Sequence, residues 1–311
     1  HFDWVMLLLL VMVCAMSLFN LYSASYPPSP YGIAPYLKQM YFFALGIVVM
    51  VVICLVDYKE LHFWNYFFYV FVVLLLVAIL IIGRTAGGAQ RWIDLGFFNL
   101  QPSELAKLML VITLASYFSR KEVVDGYTIR QLVVPLLLTM VPFVLILLQP
   151  DLGTALMLVI IFVSMAVFVR LRFHVYLIFG VSGVASIWLA WTKVLKPYQK
   201  MRIQTFLQPD KDVAGQGYQI MQSKIAVGSG GKFGKGYLEG TQGHLHFLPE
   251  RHTDFAFAVW GEEWGFVGTL FFPRHLLSHA YLGALQQCLC AGSFRHAFVF
   301  RHCHADFSGR R

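Results

Sequence analysis

The hydrophobic pattern of this chain consists of long unbroken apolar runs. A helix that crosses a bilayer needs about 20 mostly apolar residues. Runs at 4–24, 40–56, 63–82, 132–148 and 173–191 meet or approach that length. Three more, at 102–118, 152–169 and 255–272, open with polar residues and then turn apolar. In hydrocarbon every backbone N–H and C=O must be paired within the protein, so such runs are helices. The pattern therefore predicts an all-α polytopic membrane protein with about eight transmembrane helices. The connections are short except for 192–253, a polar, Gly-rich stretch well beyond ordinary loop length.

Lys and Arg in the short loops set the orientation. With a cytoplasmic N-terminus, the inner loops hold Lys59, Arg120, Lys121, Arg130, Arg170 and Arg172. The outer loops then hold Lys38, Arg84 and Arg91. This places the 83–101 and 192–253 loops on the extracytoplasmic face. The first run lacks a basic flank before it, which reads as a spanning helix and not a cleaved signal.

Composition agrees with lipid as the solvent. Of 311 residues 58% are hydrophobic and 13% charged, against roughly 25% charged in soluble domains. The net charge of +8 is carried mostly between the apolar runs. There it suits membrane lipids or an anionic substrate, and no nucleic-acid partner is expected. Cys14 and Cys54 lie in apolar runs and no CxxC pair occurs, so thiol metal or redox chemistry is not indicated. Residues 273–311 depart from the 1–272 core. They hold His275, His279, His296, His302 and His304 with Cys288, Cys290 and Cys303. Those spacings match no metal site, and the tail reads as a frameshifted or otherwise aberrant end.

Several polar groups sit where chemistry could use them. Gln101-Pro102-Ser103-Glu104 and Gln149-Pro150-Asp151 each open an apolar run; both are also good helix starts. Arg91 offers a fork of donors suited to phosphate, and Trp92 a flat face for a sugar; an interfacial pair is the structural alternative. Glu104 and Lys107 stand i,i+3 on one helix face, as a functional pair or a packing ion pair. The 228–236 stretch, with two Lys among its glycines, could cradle an anion or be a turn-rich loop. Asp254 opens the last apolar run, where it could be a base for a sugar hydroxyl or a helix cap. Glu262 and Glu263 are acids within that run and need partners.

Four co-linear stretches resemble the SEDS family (shape, elongation, division and sporulation proteins): GGAQRWIDLGFFNLQPSELAKL at 87–108, QPDLGTAL at 149–156, GYQIMQSKIAVGSGGKFGKG at 217–236 and LPERHTDFAFAVWGEEWGFVG at 248–268. Their wording is closer to the RodA branch than to FtsW. The resemblance implies a bundle of about ten spanning helices, two of which would follow Phe272, where the tail stands instead. It implies a peptidoglycan glycosyltransferase that polymerises lipid II during cell elongation, in the bacterial cytoplasmic (inner) membrane with an extracytoplasmic active face. It also implies a class B penicillin-binding protein and other elongation-complex proteins as partners. Asp254 matches the family's essential acid, Glu104 and Lys107 its membrane-embedded pair, and Arg91 and Trp92 its outer-loop pair. Inverting glycosyl transfer then needs Asp254 as base, and cations for the departing pyrophosphate. Arg91, Lys107, Lys224 and Arg251 are the candidates, with a divalent ion such as Mg2+ as a further expectation. The competing readings are a flippase or transporter of lipid-linked precursor, and a non-catalytic scaffold.

Overall fold

The computed structural model describes residues 4–26, 33–56, 58–82, 84–86, 89–94, 99–119, 126–169, 171–209, 215–241, 252–271 and 274. The helices are α1 (Trp4–Ala24), α2 (Pro35–Leu55), α3 (Tyr58–Ile82), α4 (Pro102–Ser119), α5 (Ile129–Leu148), α6 (Leu152–Phe168) and α7 (Phe173–Leu189). A short π-helical turn, Ala190–Val194, ends α7, and α8 (Pro197–Leu207) and α9 (Gln216–Ser229) follow. A last helix, α10, covers 256–271. Helices α1, α2, α3, α5 and α7 are long and apolar enough to cross a membrane unaided. The three runs with polar starts form α4, α6 and α10. This is a multi-pass, mostly helical membrane protein.

Two details depart from the pattern reading. The 83–101 connection carries a small antiparallel sheet, ordered β1 (Arg84–Ala86), β2 (Ala89–Asp94), β3 (Asn99–Leu100). The strands are too short for an alternating hydrophobic signal. The 192–253 stretch contains α8 and α9, whose polar composition leaves no apolar run to mark them.

The described residues form two compact units, 52–195 and 1–51 with 196–311. In the first, α3, α4, α5 and α6 pack around Leu76, Leu110, Leu114, Ile146, Leu158 and Phe162, all nearly inaccessible. The polar groups inside this core have specific partners. Pro142 lies inside α5 and supplies no N–H, so the carbonyl four residues earlier, that of Leu138, loses its helical donor. The Tyr69 hydroxyl of α3 donates to that carbonyl at 2.7 Å. At the end of α5, buried Gln149 donates through Nε2 to the Leu76 carbonyl at 3.2 Å. Asp151 caps α6, accepting from Thr154 N at 3.3 Å and Thr154 Oγ1 at 2.9 Å. Of the two readings of Gln149-Pro150-Asp151, these bonds display the helix start.

Candidate active site

The α4 pair is the simpler group. Pro102 fills the first helical position, where no intrahelical N–H is needed. Glu104 lies in the first turn, where the helix dipole favours an anion. One turn on, Lys107 Nζ meets Glu104 Oε2 at 2.9 Å, with the Glu104 side chain 55% exposed and that of Lys107 28%. The i,i+3 spacing thus yields a contact ion pair on an accessible surface. Trp92 is on β2, part exposed. Arg91 is the neighbouring β2 residue, and its side chain lies outside the described ones.

The second group lies in the other unit and is built on α10. Asp254 is exposed in the turn 252–255 that leads into the helix. The Phe255 carbonyl accepts from Ala258 N at 2.9 Å and Val259 N at 3.4 Å, so Phe255 begins the helix. Asp254 therefore stands just before the positive end of α10. Lys224 is exposed on α9. Arg251 lies outside the described residues.

Further along α10 the backbone leaves the right-handed helical region, with Gly265 at φ 63°. Around this break the Gly-rich loop docks on the helix. The Glu262 carbonyl accepts from Lys235 N at 3.0 Å and the Glu263 carbonyl from Gly236 N at 3.1 Å. In return Phe266 N donates to the Gly231 carbonyl at 2.9 Å and Val267 N to the Lys232 carbonyl at 3.1 Å. An unbroken helix would pair 262 with 266 and 263 with 267. The loop supplies partners for all four groups, as broken helices in membranes require. The glycines are what allow so close an approach. A Cβ at Gly234, itself at φ 82°, would fall on the Glu263 carbonyl.

The acids Glu262 and Glu263 are almost wholly buried, at 0% and 2% exposure. Glu262 Oε1 accepts from Lys235 Nζ at 2.6 Å, Thr241 N at 2.8 Å and Thr241 Oγ1 at 3.0 Å. Lys235 Nζ also donates to Thr241 Oγ1 at 2.9 Å. Glu263 Oε1 accepts from Leu238 N at 3.2 Å and from the Ser23 hydroxyl of α1. Asn20 of α1 donates through Nδ2 to the Ala256 carbonyl at 2.9 Å. Outside the spanning segments, Tyr237 has its phenol raised by burial, then by the charge of Glu263 and by Tyr22. On its apolar side α10 faces α1 across a groove of about 570 Å³, lined in part by Met12, Met16, Phe233, Trp260 and Trp264. Trp260 and Trp264 are stacked at 5.2 Å.

The family model for cell cycle proteins of the FtsW, RodA and SpoVE type matches residues 3–286. The chain belongs to the FtsW/RodA/SpoVE family. Among its relatives, the peptidoglycan glycosyltransferase MrdB of Escherichia coli K12 is 37% identical over 270 residues, covering 87% of this chain and 71% of that protein. The peptidoglycan glycosyltransferase RodA of Treponema pallidum is 29% identical over 381 residues, covering 96% and 87%. A solved structure of a peptidoglycan synthase complex that coordinates polymerization and crosslinking superposes with a TM-score of 0.69 at 34% identity, covering 88% of this chain and 74% of that one. The rod shape determining protein RodA of Thermus thermophilus does so with a TM-score of 0.62 at 29% identity, covering 91% and 75%.

Within this FtsW/RodA/SpoVE chain the structure places Glu104 beside Lys107 and sets Asp254 exposed before α10. Sequence reasoning shows that Glu262 and Glu263 need partners, but it does not single out Lys235 and Thr241 for the first or Leu238 and Ser23 for the second. The available signal is a Lys in a Gly-rich stretch of a chain with acids inside an apolar run.

Proposed function

We propose that this chain is a peptidoglycan glycosyltransferase that polymerises lipid II into glycan strands during cell elongation. The observation that carries the site assignment is Asp254: an exposed carboxylate in a turn ahead of a helix start, in the segment that resembles the family's LPERHTDF motif. There it can take a proton from the acceptor sugar hydroxyl as that oxygen attacks the anomeric carbon of a second lipid-linked molecule. The anomeric C–O bond to undecaprenyl pyrophosphate breaks as the new one forms, and the configuration inverts. A base of this kind contributes roughly 10²–10⁴-fold.

The departing diphosphate gains negative charge and is stabilised by fixed cations. Lys107, Lys224, Arg91 and Arg251 are proposed for that role, Trp92 for sugar contact, and Glu104 as the residue that orients the Lys107 ammonium. The apolar groove beside α1 and α10 suits the prenyl chain of the substrate. Among the described residues no three His, Cys, Asp or Glu side chains converge. A divalent ion such as Mg2+ would add charge stabilisation at the departing diphosphate, and no step here depends on one. The orientation from loop Lys and Arg supports an active face outside the cytoplasmic membrane. Similarity to a peptidoglycan synthase complex that couples polymerization to crosslinking supports a class B penicillin-binding protein as partner.

The test is polymerisation of labelled lipid II by the detergent-solubilised chain. Asp254→Asn should insert and fold yet make no glycan. Glycan formation at the parental rate would remove Asp254 from the base role. Product made in detergent, where no second leaflet exists, also separates polymerisation from flipping.

A further inference from the structure

At one end of the first unit, α4 and α6 leave an apolar groove of about 400 Å³ between them, lined by Ala115, Phe118, Ser119, Met165, Phe168 and Val169. The polar side chain among these, Ser119, already donates its hydroxyl to the Ser116 carbonyl at 3.0 Å. Such a groove offers water no partners. In a bilayer an acyl chain fills it, since an empty one forfeits dispersion contacts. What sets it apart from the rest of the lipid-facing surface is charge. Tyr127 gathers the neighbouring helix ends. Its hydroxyl donates to the Phe118 carbonyl at 3.3 Å and its ring meets that of Phe118 edge-on at 5.3 Å. Its carbonyl accepts from Arg172 N at 3.2 Å. Two cations therefore stand at this end. Arg172 is the N-cap of α7, three residues past Val169, and Arg130 is in the first turn of α5, three residues past Tyr127. Both are exposed, and among the described residues neither forms an ion pair. Helix α7 also begins without a side-chain cap, so its first N–H groups are open to an anion.

We propose that this groove, with Arg172 and Arg130 beside it, binds an anionic phospholipid of the cytoplasmic leaflet. One acyl chain lies between α4 and α6, and the phosphodiester pairs with the two guanidinium groups. The orientation set by Lys and Arg in the short loops puts these helix ends on the cytoplasmic side, where the membrane surface is negative and basic pockets between spanning helices take anionic head groups. Lipid tails are as apolar as the groove, so they bring no preference of their own. Selection rests on the head group, and the guanidinium fork matches phosphate oxygens. Neither arginine enters the chemistry assigned to Asp254, so the two readings stand or fall separately.

The experiment uses the full chain in detergent, stripped of lipid and then given phosphatidylglycerol or phosphatidylethanolamine with the same acyl chains. Bound lipid is counted by native mass spectrometry, and the melting midpoint is recorded for each variant. Phosphatidylglycerol should bind more tightly and raise the midpoint further. Arg130→Gln combined with Arg172→Gln should weaken its binding about 30-fold at low salt and less at high salt. Arg130→Lys combined with Arg172→Lys should keep most of it. Ala115→Phe fills the groove from an exposed position and should weaken phosphatidylglycerol binding with both arginines in place. Arg202→Gln removes an exposed cation from α8 and should leave binding unchanged. Equal affinity for the two lipids overturns the proposal. So does full binding in Ala115→Phe, or a loss on Arg202→Gln as large as that on removing the arginine pair.

Discussion

Replacing Gly265 by alanine isolates the loop-to-helix junction, because the added methyl group has nowhere to go. Gly265 sits at φ 63°, a conformation that costs an L-residue about 1–2 kcal/mol. Its Cβ would fall on the backbone nitrogen of Gly234, and 2.8 Å from the carbonyl carbon of Phe233. Both are backbone atoms, so the loop must withdraw. Withdrawal breaks the four bonds that join 231, 232, 235 and 236 to 262, 263, 266 and 267. At about 0.5–1.5 kcal/mol each, those bonds together are worth about 2–6 kcal/mol. Partial relaxation leaves a net loss of about 3–5 kcal/mol, a large share of a typical 5–15 kcal/mol. For a chain of this size that lowers the melting midpoint by about 6–20 °C. Thermal unfolding in detergent, followed by tryptophan fluorescence, is a suitable assay since Trp260 and Trp264 flank the junction. Gly183→Ala in α7 is the control, for a Cβ there meets nothing within 4 Å, and the change should stay within about 1 kcal/mol. Equal midpoints for Gly265→Ala and Gly183→Ala would refute the claim that the loop locks into the break.

Four further changes probe other parts of the structure. Tyr69→Phe removes the donor to the Leu138 carbonyl and should cost about 1–3 kcal/mol by melting; a neutral result would mean that the carbonyl is satisfied otherwise. Asn65 is 1% exposed, and neither Oδ1 nor Nδ2 has a hydrogen-bond partner among the described residues, so Asn65→Leu should leave stability unchanged or raise it by about 1 kcal/mol. Glu104→Gln should shift stability by less than about 1 kcal/mol, because the pair is accessible, yet it should depress polymerisation; unchanged polymerisation would make the pair a packing feature only. Burial, then the neighbouring Tyr117, raises the Tyr127 phenol above its ordinary value of 10.0. The neutral form is therefore favoured in the fold, and the associated stability is present below pH about 10 and lost as pH climbs through the raised value. Tyr127→Phe should show a flatter alkaline limb in a melting series, and an identical limb would exclude Tyr127 as its source.

What is legible in the sequence follows the range over which each signal acts. Spanning helices announce themselves within 20 residues, so α1, α3, α5 and α7 lie where the apolar runs put them. The Glu104–Lys107 contact follows from helical periodicity alone, and Asp151 as a cap from its position before Leu152. Partners drawn from distant segments leave no local trace. Asn20 and Ser23 meet Ala256 and Glu263 across 236 and 240 residues, and in sequence each is just a polar residue near a helix end. Lys235 is visible only as one of two cations in a Gly-rich stretch, and nothing nearby distinguishes it from Lys232.

The break in α10 accounts for why those hidden partners are polar. A continuous helix satisfies its own backbone and needs only apolar neighbours. Once Gly265 interrupts it, backbone groups at 262, 263, 266 and 267 must be paired from outside, and in hydrocarbon water cannot do it. A segment that brings both N–H and C=O groups that close must be nearly free of side chains, which explains the glycines at 230, 231, 234 and 236. Such a segment has little apolar surface to hold it in place, so its attachment falls to charge and hydrogen bonds: Glu262 to Lys235 and Thr241, Glu263 to Leu238 and Ser23. An irregular backbone, a glycine-rich partner segment and buried acids held by polar groups are thus consequences of one interruption in one helix.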